Sequence, residues 1–346
     1  MVSKSYVRND RKEKFIMEYG KAMIIINTIK LIHGDCLDKL KQIKDKSVNL
    51  VLIDPPYNIS KADWDKWKTV DDYVQFMGQV FLECQRVLKD NGSFYFFHND
   101  FEQMAELQHW IKKNTKFVFM QMLVWDKFNG SKWNQLNAIV YSDDNRNYSK
   151  QAEYCLYYTF YDEKLDGDYF KSIRDYFWKE YELSGLTLKT ANELMGLATT
   201  GANMAGELFG KKRKRFRFPT KEKYELLQQS GYFQRPYEEL KNEYENMRYV
   251  FNGSKNDERH CVWNYPISKE VGHMTEKPLQ LYYDMFEVHT KKDSKCLFPF
   301  IGSGNNIISL LDINKADNGN REYIGFETDD KWFELINDRI HNKLMK

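Results

Sequence analysis

Apolar residues in this chain gather in short unbroken runs, separated by stretches in which they recur every three or four positions. Ile29-Lys30-Leu31-Ile32-His33 reads as a strand stopped by the Gly34-Asp35 turn, with a short helix over 37–43. The run 47–53 is almost wholly apolar and ends abruptly at Asp54-Pro55-Pro56-Tyr57-Asn58. The pattern then predicts a helix over 70–88 closed by Lys89-Asp90-Asn91-Gly92, a strand over 93–97, a helix over 102–112, and strands over 117–125 and 153–160. Runs without polar alternation fit strands buried on both faces, as in parallel sheets. Their alternation with helices predicts right-handed crossovers and a doubly wound, mostly parallel α/β sheet.

From 162 to 261 helical segments broken by Gly and Pro replace the apolar runs, which predicts an inserted, mainly helical domain. Inside it, 188–195 and 201–209 flank a Gly-containing turn in the pattern of a helix-turn-helix, though such pairs recur in any helical domain. Alternation resumes after Val262. Lys277-Pro278 opens a helix to 289, Lys295-Cys296-Leu297-Phe298 is a strand, and Gly302-Ser303-Gly304 is a tight turn before a helix over 305–313. A strand over 321–327 ends in Glu327, and a last helix spans 329–344. The expected order is therefore an N-terminal extension (1–28), a first α/β part (29–161), the insert (162–261) and a second α/β part (262–346). The irregular stretch 125–148 reads either as a loop closing over a ligand or as a surface connection.

Composition narrows the class. With 42% apolar residues, and 52 basic against 50 acidic, the 346-residue chain is ordinary globular protein, neither a disulfide mini-protein nor a uniformly basic coat. The 16% aromatic share exceeds normal core demand; core and interface packing take most of it, and any surplus suits stacking on flat ligands. Cys36, Cys84, Cys155, Cys261 and Cys296 show no zinc spacing and read as reduced, buried thiols of a cytoplasmic protein. Met23-Ile24-Ile25-Ile26 is too short for a leader or a membrane span, so no membrane partner is expected. Charge is uneven, however: 211–223 holds eight basic residues, among them Lys211, Lys212, Arg213, Lys214, Arg215 and Arg217, against Glu222 alone. Interleaved with Phe216 and Phe218, this run suits phosphate contacts as well as it suits a solvated cluster.

In open α/β sheets ligands bind beyond the carboxyl ends of strands, so residues that end apolar runs carry the information. Asp54, Gly302-Ser303-Gly304 and Glu327 are such residues. Two prolines in succession fix two φ angles and remove two donors, leaving a rigid ledge of carbonyls beside a carboxylate and a ring. A planar ring bearing an exocyclic amine fits that ledge: the amine donates to Asp54 and the Pro55 carbonyl, and Tyr57 stacks on the ring. The Gly302 turn between strand and helix, with Glu327 closing the next strand, reads as a nucleoside site in which backbone N–H groups receive a carboxylate and Glu327 accepts ribose hydroxyls. The spacing of a P-loop is missing.

Asp54-Pro55-Pro56-Tyr57 resembles the catalytic motif of amino DNA methyltransferases, and the order of motifs resembles their β group, in which the catalytic motif precedes a recognition region and the cofactor loop comes last. The resemblance covers 29–160 and 262–346, and the insert by position only. It implies a Rossmann-like fold, S-adenosylmethionine as cofactor and methyl transfer to the exocyclic nitrogen of a flipped base in double-stranded DNA. By the same resemblance Asp54, Pro55, Pro56 and Tyr57 are catalytic, Asp35 approaches the cofactor adenine, Lys277 in Thr275-Glu276-Lys277-Pro278 lies near its carboxylate, and Phe300, Gly302, Ser303, Gly304 and Glu327 complete the cofactor site. Asp leading the motif favours adenine N6 in the family; cytosine N4 is the alternative. Cytosine C5 chemistry would be expected to carry a Pro-Cys nucleophile, and none of the seven prolines precedes a cysteine. The family's Asp-Pro-Phe and Thr residues are replaced here by Phe298-Pro299-Phe300 and Asn305-Asn306, the motive for a second alternative, a DNA-binding protein with a decayed cofactor site. RNA guanine-N2 methyltransferases share the motif but place the cofactor loop first. A cognate restriction endonuclease and a homodimer are further partners that the resemblance allows.

Overall fold

A computed structural model describes residues 23–26, 28–127, 152–160, 170–198, 204–210, 216–252 and 260–345. Its strands are β1 (Met23–Ile26), β2 (Ile29–His33), β3 (Val48–Ile53), β4 (Leu88–His98), β5 (Phe117–Asp126), β6 (Ala152–Phe160), β7 (Val262–Asn264), β8 (Lys295–Phe298) and β9 (Glu322–Glu327). Its helices are α1 (Cys36–Leu40), α2 (Val70–Val87), α3 (Phe101–Asn114), α4 (Lys171–Ser184), α5 (Leu188–Leu194), α6 (Met204–Phe209), α7 (Lys221–Gln228), α8 (Tyr237–Met247), α9 (Leu279–His289), α10 (Asn305–Asp317) and α11 (Asp330–Leu344). The chain divides into two compact units, one of Met1–Phe160 with Val250–Lys346 and one of Tyr161–Tyr249.

In the first unit all nine strands join one sheet in the order β1-β2-β9-β8-β3-β4-β6-β5-β7. The central five, β2 to β4, run parallel, while β1, β6 and β5 bring antiparallel pairings to the flanks. Side chains alternate between faces along a strand. Leu50, Leu52, Tyr95, Phe97, Cys296 and Phe298 therefore pack in a core with residues of α9, α10 and α11. Val51, Ile53, Phe94, Phe96 and Leu297 take the opposite face, with residues of α1, α2 and α3. Both faces are buried, and the result is the three-layer α/β fold that the unbroken apolar runs predict. Asp35, Thr69, Asp100 and Asp329 fix the starts of α1, α2, α3 and α11 by accepting a first-turn N–H. Where α2 meets α3, the Trp110 ring lies on Gly78, and a Cβ there would come within 2.4 Å of it.

The second unit packs α4–α8 around Ile173, Phe177, Phe209, Tyr224, Leu227, Phe233 and Leu240. Much of the aromatic surplus thus goes to cores, here and at Phe81, Phe94, Phe96 and Tyr95.

Several expectations are corrected. Met23–Ile26 is not part of an extension: its apolar residues pair antiparallel with β2 at the sheet edge. Lys89-Asp90-Asn91-Gly92 lie within β4, where Val48 pairs with Leu88 and Leu50 with Ser93, so the four bulge opposite Asn49 alone. The insert was expected to reach 261, yet the second unit stops at Tyr249, because Asn252 already hydrogen-bonds the Val288 and Glu287 carbonyls of α9. Cys261 is exposed rather than buried. As for the helix-turn-helix, Met204, Ala205, Gly206, Leu208 and Phe209 bury nearly all of α6, which leaves no free face for a recognition helix. Of the expected loop 125–148, Trp125 and Asp126 belong to β5, and residues 128–148 lie outside the described residues.

Candidate active site

Four neighbouring parallel strands, β2, β9, β8 and β3, deliver their carboxyl ends to one cavity of about 490 Å³. Each contributes residues at or just past its last pairing: Asp35 after β2, Glu327 as the last paired residue of β9, Phe300, Gly302 and Ser303 after β8, and Asp54, Pro55 and Pro56 after β3. This is where a doubly wound sheet places ligands. Trp64, Trp67, Phe76 and Trp332 supply aromatic walls, and Trp64 is 47% exposed.

On the β3 side, Asp54 Oδ1 accepts from the Tyr57 hydroxyl at 2.7 Å and from Lys277 Nζ at 2.7 Å, while Oδ2 accepts from Lys277 Nζ at 2.8 Å. A carboxylate oxygen has two lone pairs, so Oδ1 is saturated and Oδ2 retains one acceptor position. The Pro56 carbonyl is taken by the Tyr73 hydroxyl at 2.8 Å. The Pro55 carbonyl accepts no hydrogen bond from the described residues. The following turn is braced by the buried Asp65 carboxylate, which accepts from Asn58, Ile59 and Lys61 N–H groups at 2.7, 3.3 and 3.1 Å.

Lys277 sits at the centre of the charges. It is 1% exposed and also contacts Glu153 Oε2 at 3.1 Å and the Tyr57 hydroxyl at 3.1 Å. Burial alone would pull its pKa down, but Asp54 and Glu153 outweigh that and hold it above the ordinary lysine value. Glu153 is bound in turn by Lys127 Nζ at 2.7 Å; burial opposes its ionisation, and the two ammonium groups overcome burial and bring its pKa to about 2. Burial, followed by Asp54 and Glu153, pushes the Tyr57 phenol well above its usual range and keeps it a donor. Burial also lowers His98, whose ring lies 4.8 Å from that of Tyr57, to about 4.

On the β9 side, Glu327 Oε2 accepts from Gly302 N–H at 2.9 Å and Oε1 from Thr328 and Asp329 N–H, each at 3.0 Å. Burial raises its pKa despite these donors. Gly302 has φ of 60°, the left-handed region that favours glycine, and presents bare backbone to the cavity beside the His273 ring. Gly304, φ 78°, starts α10 against Ile336. A carboxylate, bare glycine backbone and aromatic walls are a donor set that fits a nucleoside-bearing cofactor.

Of the residues expected here, Asp35, Asp54, Pro55, Pro56, Lys277, Phe300, Gly302, Ser303 and Glu327 line the one cavity. Tyr57 does not: its ring is 4% exposed and its hydroxyl is held by Asp54, so in this arrangement it offers no open stacking face. Gly304 does not line the cavity either. Lys277, expected near a cofactor carboxylate, is held by two carboxylates of the protein itself. Phe298 and Asn305, the departures from the family pattern, are both fully buried and do not line the cavity. Phe298 stacks on Tyr323 at 4.7 Å, and Asn305 Nδ2 donates to Glu276 and to the Lys277 carbonyl at 2.9 and 2.8 Å, tying the loop to the lysine segment. Lys211, Lys212, Arg213, Lys214 and Arg215 lie outside the described residues. Arg217 is exposed in the second unit, 3.7 Å from Glu207.

Glu153, Lys127, His273 and Trp332 were missed. Glu153 did leave a trace, a single carboxylate opening the run Tyr154-Cys155-Leu156-Tyr157, but its lysine partners are remote in sequence.

Residues 48–338 match the family of DNA methylases that includes N6 and N4 enzymes. The chain is 35% identical over 108 residues to the type II methyltransferase M1.MboII of Moraxella bovis, covering 31% of this chain and 40% of that protein. It is 39% identical over 98 residues to the DNA adenine methyltransferase YhdJ of Escherichia coli, covering 28% and 32%. The matched segments thus span well under half the length of these relatives. The solved PvuII DNA methyltransferase, cytosine-N4-specific, covers 90% of this chain with 86% of its own at a TM-score of 0.54 and 12% identity, a likeness of fold.

Proposed function

Because the chain belongs to the DNA methylase family, we propose that it transfers a methyl group from S-adenosylmethionine to the exocyclic N6 of an adenine flipped out of double-stranded DNA, with the motif order of the β group. The observation that carries this reading is one cavity holding both Asp54-Pro55-Pro56 and the Gly302, Ser303 and Glu327 cradle. S-adenosylmethionine, when bound, supplies an electrophilic sulfonium methyl. Glu327 and Asp35 offer carboxylates to its nucleoside, and Phe300 offers a ring.

The amine lone pair of adenine is delocalised into the ring and must be drawn out to attack. Asp54 Oδ2 and the Pro55 carbonyl have acceptor capacity left for the two amine N–H bonds, and accepting both favours a more tetrahedral, nucleophilic nitrogen. Lys277 donates to both Asp54 oxygens and Tyr57 to Oδ1 alone, so that Oδ2 is the oxygen with a position left for the amine. No covalent intermediate with the protein is required. Flipping is needed because the nitrogen is otherwise inside the stack. The basic run Lys211 to Arg217 supplies phosphate contacts for the duplex.

Incubating duplex DNA with labelled S-adenosylmethionine, followed by digestion to nucleosides, tests the reading. Label is expected in N6-methyladenine. Label in N4-methylcytosine overturns the choice of base, and label confined to RNA, or absent, overturns the function. Replacing the six basic residues with Gln is expected to flatten log K against log salt by roughly 2.7, about 0.9 for each of three phosphates.

A further inference from the structure

Four charged side chains meet at the inner wall of the cavity, and only two of them line it. Asp54 and Lys277 do; Glu153, with a side chain 6% exposed, and Lys127 stand behind them. The Lys277 ammonium has three N–H bonds, and its contacts are Asp54, Glu153 and the Tyr57 hydroxyl. The Tyr57 hydroxyl in turn lies 2.7 Å from Asp54 Oδ1 and 3.3 Å from Glu153 Oε2. Glu153 therefore touches both groups that hold Asp54, while it does not itself line the cavity.

We propose that Glu153 is a positioning residue for methyl transfer: from β6 it anchors the Lys277 ammonium and the Tyr57 hydroxyl, so that Lys277 divides its N–H bonds between Asp54 and Glu153 and Oδ2, which already takes one of them, keeps its second acceptor position for the amine. The inference rests on the methyltransferase reading. Without the Glu153 charge, the freed N–H bonds of Lys277 have Asp54 as their one remaining anion in direct contact, and they compete with the substrate amine for Oδ2. The ammonium also loses one of the two carboxylates that oppose its burial, with Lys127 and Lys61 still nearby as like charges.

The test compares Glu153→Gln, Glu153→Asp and Lys127→Gln with the wild type in steady-state methylation of duplex DNA across pH, with S-adenosylmethionine affinity measured by calorimetry. Glu153→Gln is expected to lower kcat about 10- to 100-fold, the scale of a misplaced contact group, with cofactor Kd and KM for DNA within about twofold. Its kcat is also expected to fall at alkaline pH where the wild type does not, because Lys277 loses its proton more easily. Lys127→Gln leaves the Glu153–Lys277 contact in place and is expected to keep the wild-type alkaline limb. Glu153→Asp keeps the charge and guards against misfolding of the amide variant; its kcat is expected to lie between the two. Wild-type kcat and pH profile in Glu153→Gln overturn the proposal, as does an alkaline limb shifted equally in Lys127→Gln, which would mark a merely structural cluster. A wild-type protein that methylates no DNA would instead overturn the reading beneath it.

Discussion

Lys277 of the first unit and Arg235 of the second each hold two carboxylates, and their surroundings make them opposites. Lys277 reaches Asp54 at 2.7 Å and Glu153 at 3.1 Å with 1% of its side chain exposed. Arg235 reaches Glu239 at 2.6 Å and Glu243 at 2.7 Å with 32% exposed. The distances are alike, but the dielectric is not. A buried pair interacts strongly and has already lost its hydration, whereas a surface pair is screened and contributes little. Among the described residues the first unit buries Lys277, Glu153, Asp65 and Glu276, which belong to the cavity wall or to the segments that frame it. It also buries Arg321, which is held away from the cavity by Thr290 and Asp317, and the second unit buries Arg174. The second unit surrounds an apolar, aromatic core with helical ion pairs at its surface, such as Lys171–Asp175 and Lys241–Glu245. Among the described residues the buried carboxylates, Asp65, Glu153 and Glu276, all belong to the cavity or its frame, whereas the buried arginines do not.

The largest effect that follows is on turnover. Asp54→Ala is expected to abolish methyl transfer, a loss of at least 1,000-fold or roughly 4 kcal/mol in the barrier, with DNA affinity nearly unchanged. Measurable turnover near the wild type would reduce Asp54 to a turn residue and remove the functional half of the contrast. Next is stability. Lys277→Met strips the counter-ion from two buried carboxylates and is expected to cost about 3–5 kcal/mol in urea unfolding. A loss under about 1 kcal/mol would place Lys277 with the surface pairs. Acid offers a second approach to the same cluster. Burial and two ammonium groups together set Glu153 at about 2 against an ordinary 4.5, so its folded pKa is depressed. Its contribution is present above the ordinary value and is lost as pH falls through about 2. The melting temperature of Glu153→Gln should fall less steeply over that window than that of the wild type.

The contrast also separates what was legible in the sequence from what was not. Asp54, Glu327 and Gly302 could be read because each ends an apolar run, and strand ends in a doubly wound sheet converge. Local order was enough. Glu153 could not be read this way, since its meaning depends on Lys277 arriving from the segment before α9 and Lys127 from the end of β5, contacts that no local pattern encodes. The four-residue bulge in β4 looked like a turn for the same reason: Lys89-Asp90-Asn91-Gly92 has turn composition, and only the pairing of β3 on either side shows the strand continuing. In the second unit, the stretch 201–209 follows a Gly-containing turn as a recognition helix would, yet the helix there, α6, is only six residues long. Its burial against Phe177 and Phe233 is tertiary information.

A smaller effect is expected at the far side of the cavity. Glu327→Ala removes a carboxylate that already accepts three backbone N–H bonds, and should weaken S-adenosylmethionine binding by about 1.5–3 kcal/mol, the range for a hydrogen bond to a charged group. Unchanged affinity by calorimetry would put the cofactor elsewhere. On the proposed reading this residue acts by contact with ligand, so its effect should appear in cofactor Kd, whereas that of Lys277→Met should appear in unfolding.

The smallest effect sharpens the comparison most directly, because it repeats the Lys277 experiment where water is present. Arg235 donates from Nη2 to Glu239 and Glu243, and its guanidinium lies 5.2 Å from the Tyr176 ring. Arg235→Gln should therefore cost no more than about 1 kcal/mol, part of it from the lost ring contact. Salt separates the two cations further. Raising ionic strength from 0.1 to 1 M shortens the Debye length from about 10 to 3 Å, which weakens exposed pairs and leaves buried ones nearly untouched. The stability gap between the wild type and Arg235→Gln should thus narrow in high salt, while the gap for Lys277→Met persists. If the Arg235 gap is as large as the Lys277 gap and equally insensitive to salt, burial is not what distinguishes the two units.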